Sequence, residues 1–190
     1  MNNDIIEDKE FNKVDFTSKK LPSFEFENCT FKNCNFIEVN LSGFTFLDCN
    51  FIGCDLTNAK LNETSFKDIN FKDCKLLGLQ FNYCNELLIS FSFTNCQMNL
   101  TSFNKLKIKG TQFVECNLTE ADFSEADLSK STFTNCDLTR TIFEYTNLEE
   151  TDFTSALNFT VDPEINKIRR AKFSVSGLAG LLKKYDIEIE

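Results

Sequence analysis

Residues 113–153 read FVECNLTEADFSEADLSKSTFTNCDLTRTIFEYTNLEETDF, and a large apolar residue returns at every fifth position of this stretch. These central residues are Phe113, Leu118, Phe123, Leu128, Phe133, Leu138, Phe143, Leu148 and Phe153. Two positions before each of them stands a small residue, namely Thr111, Cys116, Ala121, Ala126, Ser131, Cys136, Thr141, Thr146 or Thr151. A period of five is neither the 3.6-residue period of an α-helix nor the two-residue period of a strand, so the pattern indicates a repeat architecture.

The five-residue spacing covers most of the chain in two registers. The first register runs from Phe11 to Phe81, and the second runs from Phe93 to Phe153. The spacing predicts a square coil, in which each pentad forms one side and a corner and four pentads complete a turn. The central and small residues point inward, and each turn bonds to the next at the strand spacing of about 4.8 Å. Only the stacking of turns buries these apolar side chains.

The pentads resemble the A(D/N)LXX motif of the pentapeptide-repeat family. The motif is clearest in Ala121-Asp122-Phe123, Ala126-Asp127-Leu128, Cys136-Asp137-Leu138 and Cys116-Asn117-Leu118. The resemblance covers roughly residues 9–173. It implies an all-β fold, a right-handed quadrilateral β-helix of about seven to eight coils.

Changes in the pattern divide the chain into six predicted segments. They are an N-terminal cap (1–10), a first repeat block (11–84), a break in the register (85–92), a second repeat block (93–158), a non-repeat segment (159–172) and a C-terminal helix and tail (173–190). The apolar middle of the break fits either a packed bulge between two stacked blocks or a short binding loop. In the non-repeat segment, Pro163 cannot donate a ladder hydrogen bond, which indicates a loop.

The C-terminal segment has the apolar spacing of an amphipathic helix. Leu178, Leu181, Leu182 and Tyr185 lie at positions i, i+3, i+4 and i+7. Ser174 or Ser176 can cap this helix, whereas Gly177 and Gly180 weaken it, so packing must hold it. Residues 186–190 alternate like a short strand. Family members dimerise through a similar helix and tail, so the resemblance implies a homodimer; the other interpretation, a lid on the last coil, is compatible with it.

All nine cysteines fall in the small inward register. They are Cys29, Cys34, Cys49, Cys54, Cys74, Cys84, Cys96, Cys116 and Cys136. Free thiols suit a narrow apolar interior. The alternative, a metal site, needs convergent ligands, and parallel columns do not converge. We therefore expect free thiols in a reducing cytoplasm. The polar, acidic start of the chain argues against a signal peptide, and the sequence has no apolar run long enough for a membrane span.

The net charge of −9 argues against direct binding to nucleic acid or to an anionic membrane. Stacking of residues 20 apart predicts the cross-coil pairs Lys105–Glu125, Lys107–Asp127, Glu120–Arg140 and Lys130–Glu150. The acidic residues left unpaired are Glu115, Asp122, Asp137, Glu144, Glu149 and Asp152, and they form a candidate partner-binding acidic face. A solvated face that only maintains solubility is the alternative. Residues 167–172 add a basic spot near the C-terminal end.

The acidic, rigid coil is similar in architecture to the quinolone-resistance proteins of the Qnr type. Those proteins bind DNA gyrase and topoisomerase IV, and their negative surface was proposed to mimic duplex DNA. The resemblance implies a protein partner, with a type II topoisomerase as the candidate. This chain lacks the long polar loops that contribute to protection in Qnr proteins. The alternative function is a structural scaffold whose unrelated partner docks at residues 85–92 or at the C-terminal helix.

No pattern in the sequence indicates catalysis. The chain has no histidine, the usual general base and metal ligand, and its six glycines are scattered rather than gathered in a phosphate-binding loop. A coil filled with phenylalanine leaves no cavity for a substrate, and buried cysteines without basic neighbours are not nucleophiles. We therefore predict a non-enzyme without catalytic residues, cofactor or metal.

Overall fold

The structure is a computed structural model that describes residues 5–87 and 89–188. Its strands are β1 (Ile6–Glu7), β2 (Glu10–Asn12), β3 (Glu25–Glu27), β4 (Thr30–Lys32), β5 (Thr45–Leu47), β6 (Asn50–Ile52), β7 (Ser65–Lys67), β8 (Ile69–Lys72), β9 (Phe91–Thr94), β10 (Gln112–Val114) and β11 (Thr132–Thr134). Its helices are one α-helical turn, α1 (Ala179–Leu182), and the 3-10 turns Phe81–Tyr83, Val175–Gly177 and Lys183–Tyr185. No helix of the described part is long and apolar enough to cross a membrane.

The strands form two parallel sheets, ordered β1-β3-β5-β7 and β11-β10-β9-β8-β6-β4-β2. Each paired residue lies one coil from its partner, as Phe26 does from Phe46 and Phe113 does from Phe133. Single bridges such as Asn117 to Asp137 continue the same pairing on the sides without regular strands. The predicted quadrilateral β-helix is therefore confirmed.

Four faces follow one another along the chain, and each is named here by the residues that stack on it. The first face carries the seven-stranded sheet, including β10 and β11. The second carries the bridged residues Asn117 and Asp137, the third Ser102, Asp122 and Ile142, and the fourth Lys107, Asp127 and Asn147. Each pentad brings the chain to the next face, so the third and fourth faces are neighbours.

The core consists of columns of central side chains. On the first face the rings of Phe11, Phe31, Phe51, Phe71, Phe93, Phe113, Phe133, Phe153 and Phe173 stack one above the other. Phe113, for example, lies with its ring centroid 4.9 Å from that of Phe133, and it meets Phe123 of another column edge-on at 5.8 Å. Aromatic pairs favour both geometries, so one residue type fills the interior along and across the axis.

The corners of the coil explain why Asp or Asn so often precedes the central residue. In the pentad of Phe123, the Asp122 carboxylate accepts the backbone N–H of Ser124 at 2.8 Å and closes the turn. The second residue after the central one, Glu125, has φ +59°, in the left-handed region. Asx turns and left-handed corners together turn the chain from one side of the square coil into the next.

The two extra residues of the register break lie between Asn85 and Phe91. Asn85 still bridges Ser65, which is 20 positions earlier, whereas Phe91 pairs with Ile69, which is 22 positions earlier. Ile89 packs against the core, while Leu87 is 73% exposed; Leu88 lies outside the described residues. The apolar middle of this segment is thus divided between the interior and the surface.

The coil extends further than the sequence pattern predicts at both ends. Strand β1 pairs with β3, so residues that we assigned to an N-terminal cap already belong to the first coil; residues 1–4 lie outside the described part. The cause is Ile6, which occupies a central position five residues before Phe11. At the other end, Lys167 bridges Asn147 in register, so the non-repeat segment forms the last coil.

The C-terminal segment differs from the predicted helix. In its described part the single α-helical turn, α1, lies between the 3-10 turns Val175–Gly177 and Lys183–Tyr185. Gly180 packs so closely on the last coil that a Cβ atom there would lie 2.4 Å from the Phe159 carbonyl oxygen. Ser174 caps the segment as predicted, accepting the N–H of Gly177 at 3.1 Å. The predicted strand at 186–190 is absent from residues 186–188, where Asp186 takes a left-handed φ of 49°; residues 189–190 lie outside the described part.

Candidate functional site

The six candidate acidic residues are distributed around the coil. Glu115 and Asp152 lie on the first face, Asp137 on the second, Asp122 and Glu144 on the third, and Glu149 on the fourth. The cause is the repeat itself, since each pentad turns the chain to a new face. Of the six, only Asp122 and Glu144 meet on one face in successive coils. The structure therefore does not bring all six onto a single surface.

Three of these carboxylates also have structural roles. Asp122, Asp137 and Asp152 accept the backbone N–H groups of Ser124, Thr139 and Thr154 at 2.8, 3.0 and 2.9 Å. Hydrogen bonds from Thr154 hold the pKa of Asp152 below its usual value. Partial burial alone would raise the pKa of Asp137, but bonds from Thr139 and Asn158 outweigh it and lower the pKa. The sequence predicts that Asp152 is unpaired, but its carboxylate lies 3.3 Å from the Lys172 ammonium group.

The predicted pairing across coils is largely confirmed. Lys105 lies 3.6 Å from Glu125, Lys130 lies 3.9 Å from Glu150, and Arg140 pairs with Glu120. All of these side chains are exposed, so each pair contributes only about 0–1 kcal/mol. Lys107 and Asp127 are bridged through their backbones but form no ion pair in the described part; Asp127 instead accepts bonds from Ser129 and Asn147.

Charge is separated between the two neighbouring faces of the second block. The third face carries Asp122, Glu125 and Glu144 against Lys105, and the next coil adds Asp162 and Glu164, which both pair with Lys184 of the C-terminal segment. The fourth face carries Lys107, Lys109, Lys130, Lys167, Arg169 and Arg170 against Asp127, Glu149 and Glu150. Counting acids along the chain missed this separation. Sorting both signs of charge by position within the 20-residue coil would have found it.

The cysteines form a longer ladder than the sequence suggests. The two-residue insertion brings Cys96 into the column of Cys74, so Cys34, Cys54, Cys74, Cys96, Cys116 and Cys136 follow one another on the second face. All nine thiols are free and buried, and burial raises the pKa of Cys49 to about 12. Within the described residues, no group of three or more potential metal ligands converges. These features fit packed, unreactive thiols.

The four candidate dimerisation residues divide into two groups. Leu178, Leu182 and Tyr185 are exposed, whereas Leu181 packs against the core of the last coil. A groove of about 640 Å³ lies beside the contact between α1 and the coil, and Arg140, Lys183 and Asp186 contribute its charged side chains. The segment therefore covers the coil with one side and exposes apolar side chains on the other.

Comparison with known proteins places the chain among repeat proteins. The model of the pentapeptide repeat region matches residues 44–121 and 88–181. A second model, the SV2A/B/C luminal domain, matches residues 1–76, less than half of the chain. No curated protein matches the sequence.

Solved structures share the fold at low sequence identity. A trypsin-treated variant of QnrB1, a plasmid-mediated fluoroquinolone resistance protein, has a TM-score of 0.63 and 20% identity, with 98% of this chain and 97% of that chain covered. Full-length QnrB1 has a TM-score of 0.55 and 19% identity, with 97% and 100% covered. The identity supports a common fold and nothing finer. Since the family model spans well over half of the sequence, the chain belongs to the pentapeptide-repeat family.

Proposed function

We propose that this protein is a non-enzymatic scaffold that binds a protein partner through the third face of its second block. The observation that carries the proposal is the separation of charge, which gathers Asp122, Glu125 and Glu144 on one rigid surface. Backbone ladders fix the positions of their Cα atoms, so little backbone conformational entropy is lost when a partner binds. The likeness in fold to QnrB1 supplies the candidate partner, a type II topoisomerase such as DNA gyrase or topoisomerase IV.

The proposal differs from mimicry of DNA by the whole rod. Duplex DNA carries one charge per about 1.7 Å of its axis. The three third-face carboxylates occupy two coils, or about 9.6 Å at the strand spacing, which is about half that density. The neighbouring fourth face carries mainly basic side chains. A short acidic docking face therefore fits this molecule better than a continuous imitation of the duplex.

The absence of an enzymatic role belongs to the same proposal. The interior is filled with stacked rings, and the thiols that line it are buried. The nine free thiols also favour the cytoplasm as the compartment in which the protein works.

The exposed apolar side chains of Leu178, Leu182 and Tyr185 support a homodimer formed through the C-terminal end. Sedimentation velocity of the purified protein distinguishes this dimer from a monomer.

The alternative is a structural scaffold with an unrelated partner. Its supporting observation is Leu87, whose side chain is 73% exposed at the register break. Such a partner would dock by apolar contact at residues 85–92 or at the C-terminal segment. Its binding would resist salt and would be indifferent to changes on the third face.

A binding and supercoiling experiment tests the proposal. The purified protein is titrated against DNA gyrase and topoisomerase IV, and gyrase supercoiling is followed with and without a fluoroquinolone. Glu144→Lys should weaken binding about fivefold at about 0.1 M salt, because the carboxylate faces a complementary basic surface. Glu115→Lys, the same change at an exposed residue of the first face, is the matched control and should bind like the wild type. Failure of the wild type to bind either enzyme or to change supercoiling would overturn the topoisomerase proposal.

A further inference from the structure

One pentad of the third face, Thr141–Tyr145, lacks the device that closes the neighbouring corners. In the coil before it, Asp122 accepts the N–H of Ser124, and in the coil after it Asp162 accepts the N–H of Glu164 at 2.9 Å. Ile142 occupies the same position and has no acceptor. An Asp or Asn would accept a turn hydrogen bond here, so this isoleucine contributes nothing to closing the corner.

The same pentad carries a second unfavourable choice. Tyr145 stands at the left-handed corner with φ +55°, a conformation that suits Asn or Gly and not a bulky aromatic residue. Its side chain is 69% exposed, and its ring contacts no other aromatic ring of the described part. Ile142 is 42% exposed. Left-handed corners recur throughout the coil, so the unusual feature of this pentad is that two large side chains face solvent where neither stabilises the coil.

The last coil does not form the regular ladder of backbone hydrogen bonds with this pentad. In the repeat pattern, Phe143 and Tyr145 would donate their N–H groups to the carbonyls of Asp162 and Glu164. Among the described residues neither bond is formed. The reason is a tight turn after Asp162, which contains Pro163 and is closed by the N–H of Asn166 on the Asp162 carbonyl at 3.2 Å.

The surroundings specify the chemistry of the occupant. Asp122, Glu125 and Glu144 flank the exposed isoleucine and tyrosine on this face. Of the three, Glu125 is already paired with Lys105, at 3.6 Å. Carboxylates disfavour an anionic membrane surface, and the same face of a second copy would repel them. The carboxylates favour a cationic segment of a partner. Ile142 and Tyr145 can then contact an apolar side chain of that segment, placed among its basic residues. Exposed tyrosine is among the side chains that contribute most to protein interfaces.

We propose that Ile142 and Tyr145 anchor a cationic segment of the partner protein, with an apolar side chain of that segment packed on the pair and its lysine or arginine residues on the flanking carboxylates. This site rests on the proposed binding function and gives it a location. The carboxylates direct the approach of the partner, whereas the apolar pair determines how long the complex lasts.

Designed peptides test the chemistry of the site. Three ten-residue peptides are titrated into the 15N-labelled protein: one alternates lysine with leucine, one lysine with serine, and one glutamate with leucine. We expect the lysine–leucine peptide to bind at least tenfold more tightly than the other two and to shift the amide resonances of residues 122–125 and 141–145. Equal binding of the lysine–serine peptide, or shifts confined to other faces, would overturn the proposal.

Substitution separates this role from a structural one. Ile142→Asn restores an acceptor at the corner, and Tyr145→Asn restores a residue that favours the left-handed conformation. Each change should raise the melting temperature by about 1–4 °C. The double variant should nonetheless lose at least tenfold in affinity for the lysine–leucine peptide. The combination of higher stability and lost binding cannot result from misfolding.

Leu100→Asn is the matched control, because Leu100 is 58% exposed at a left-handed corner of another coil with φ +60°. It should gain stability in the same way and keep full affinity for the peptide. An equal loss of affinity in this variant would contradict the proposed site. If gyrase binds the wild type and the double variant equally, the site is wrong and the partner proposal stands. If only the peptide binds, the site stands and the partner proposal fails.

Discussion

At the scale of single residues, cysteine and threonine are interchangeable at the small inward position of the pentad. The Cys54 thiol donates to the carbonyl of Phe31 at 3.2 Å, and the Thr151 hydroxyl donates to the carbonyl of Leu128 at 2.9 Å. In both cases the acceptor lies 23 positions earlier, on the previous coil. A thiol and a hydroxyl therefore fill the same space and satisfy the same kind of carbonyl. This explains how cysteine and threonine occupy equivalent places in one coil.

Burial should make the nine thiols unreactive in the native protein. We expect no native cysteine to react with Ellman's reagent at pH 8 within minutes, and all nine to react after denaturation. The reason is that each thiol is buried in the coil and that burial raises the pKa of Cys49 and Cys84. Leu100→Cys introduces an exposed thiol as the positive control. A native cysteine that reacts as fast as this control would contradict the packed ladder.

The sequence predicts which residues are buried better than it predicts what the exposed acids do. Five-residue spacing alone places Phe113 and Cys116 in the interior, where both lie. The same spacing shows Asp137 and Asp152 only as outward charges. Their oxygens close turns, and Asp152 also pairs with Lys172. Turn closure depends on the conformation of the next two residues, which composition does not reveal.

At the scale of elements, polar contacts fasten the C-terminal segment to the last coil. Lys184 lies 2.7 Å from Asp162 and 2.6 Å from Glu164, and the Tyr185 hydroxyl donates to Glu164 at 2.8 Å. The hydrogen bond from Lys184 lowers the pKa of Asp162 from 3.8, and the bonds from Lys184 and Tyr185 lower that of Glu164 from 4.5. Because both carboxyls have a lower pKa when the segment is docked, their contribution is present above pH 4.5 and is lost as pH falls through the docked values.

Acid should therefore release this segment before the coil unfolds. The reporter is the Val161 N–H, which donates to the carbonyl of Gly180 at 3.1 Å. We expect its hydrogen-exchange protection factor, measured by NMR, to fall between about pH 5 and pH 3. Lys184→Gln should lower the protection at pH 7 and weaken its dependence on pH. Lys183→Gln is the control and should behave like the wild type; identical profiles for all three proteins would contradict the role of Lys184.

Tertiary contacts explain why the sequence does not predict the length of the C-terminal helix or the side-chain orientations at the register break. The leucine spacing predicts a helix around Leu178 and Leu182, whereas α1 is a single turn between two 3-10 turns, with Gly180 packed against Phe159. At the register break, the count of residues locates the insertion correctly. It does not reveal that Ile89 turns inward while Leu87 faces solvent. Both outcomes depend on contacts with coils that are distant in sequence.

At the scale of the whole molecule, the coil converts a pattern along the chain into four surfaces of different character. A net charge of −9 describes the sum of these surfaces and none of them individually. The third face of the second block is acidic, and the fourth is mainly basic. The fold follows from the sequence because one short period repeats. The candidate site does not, because it lies in the pentad Thr141–Tyr145, where Ile142 and Tyr145 keep the period and depart from the corner chemistry.

Hydrogen exchange of the complex tests the central claim most directly. The protein is mixed with saturating DNA gyrase, and amide exchange along the chain is compared with that of the free protein by mass spectrometry. The account predicts slower exchange in peptides that cover residues 122–125 and 141–145, and no change at residues 112–115 of the first face. Protection confined to residues 85–92 or to the C-terminal segment, or no protection at any position, would contradict it.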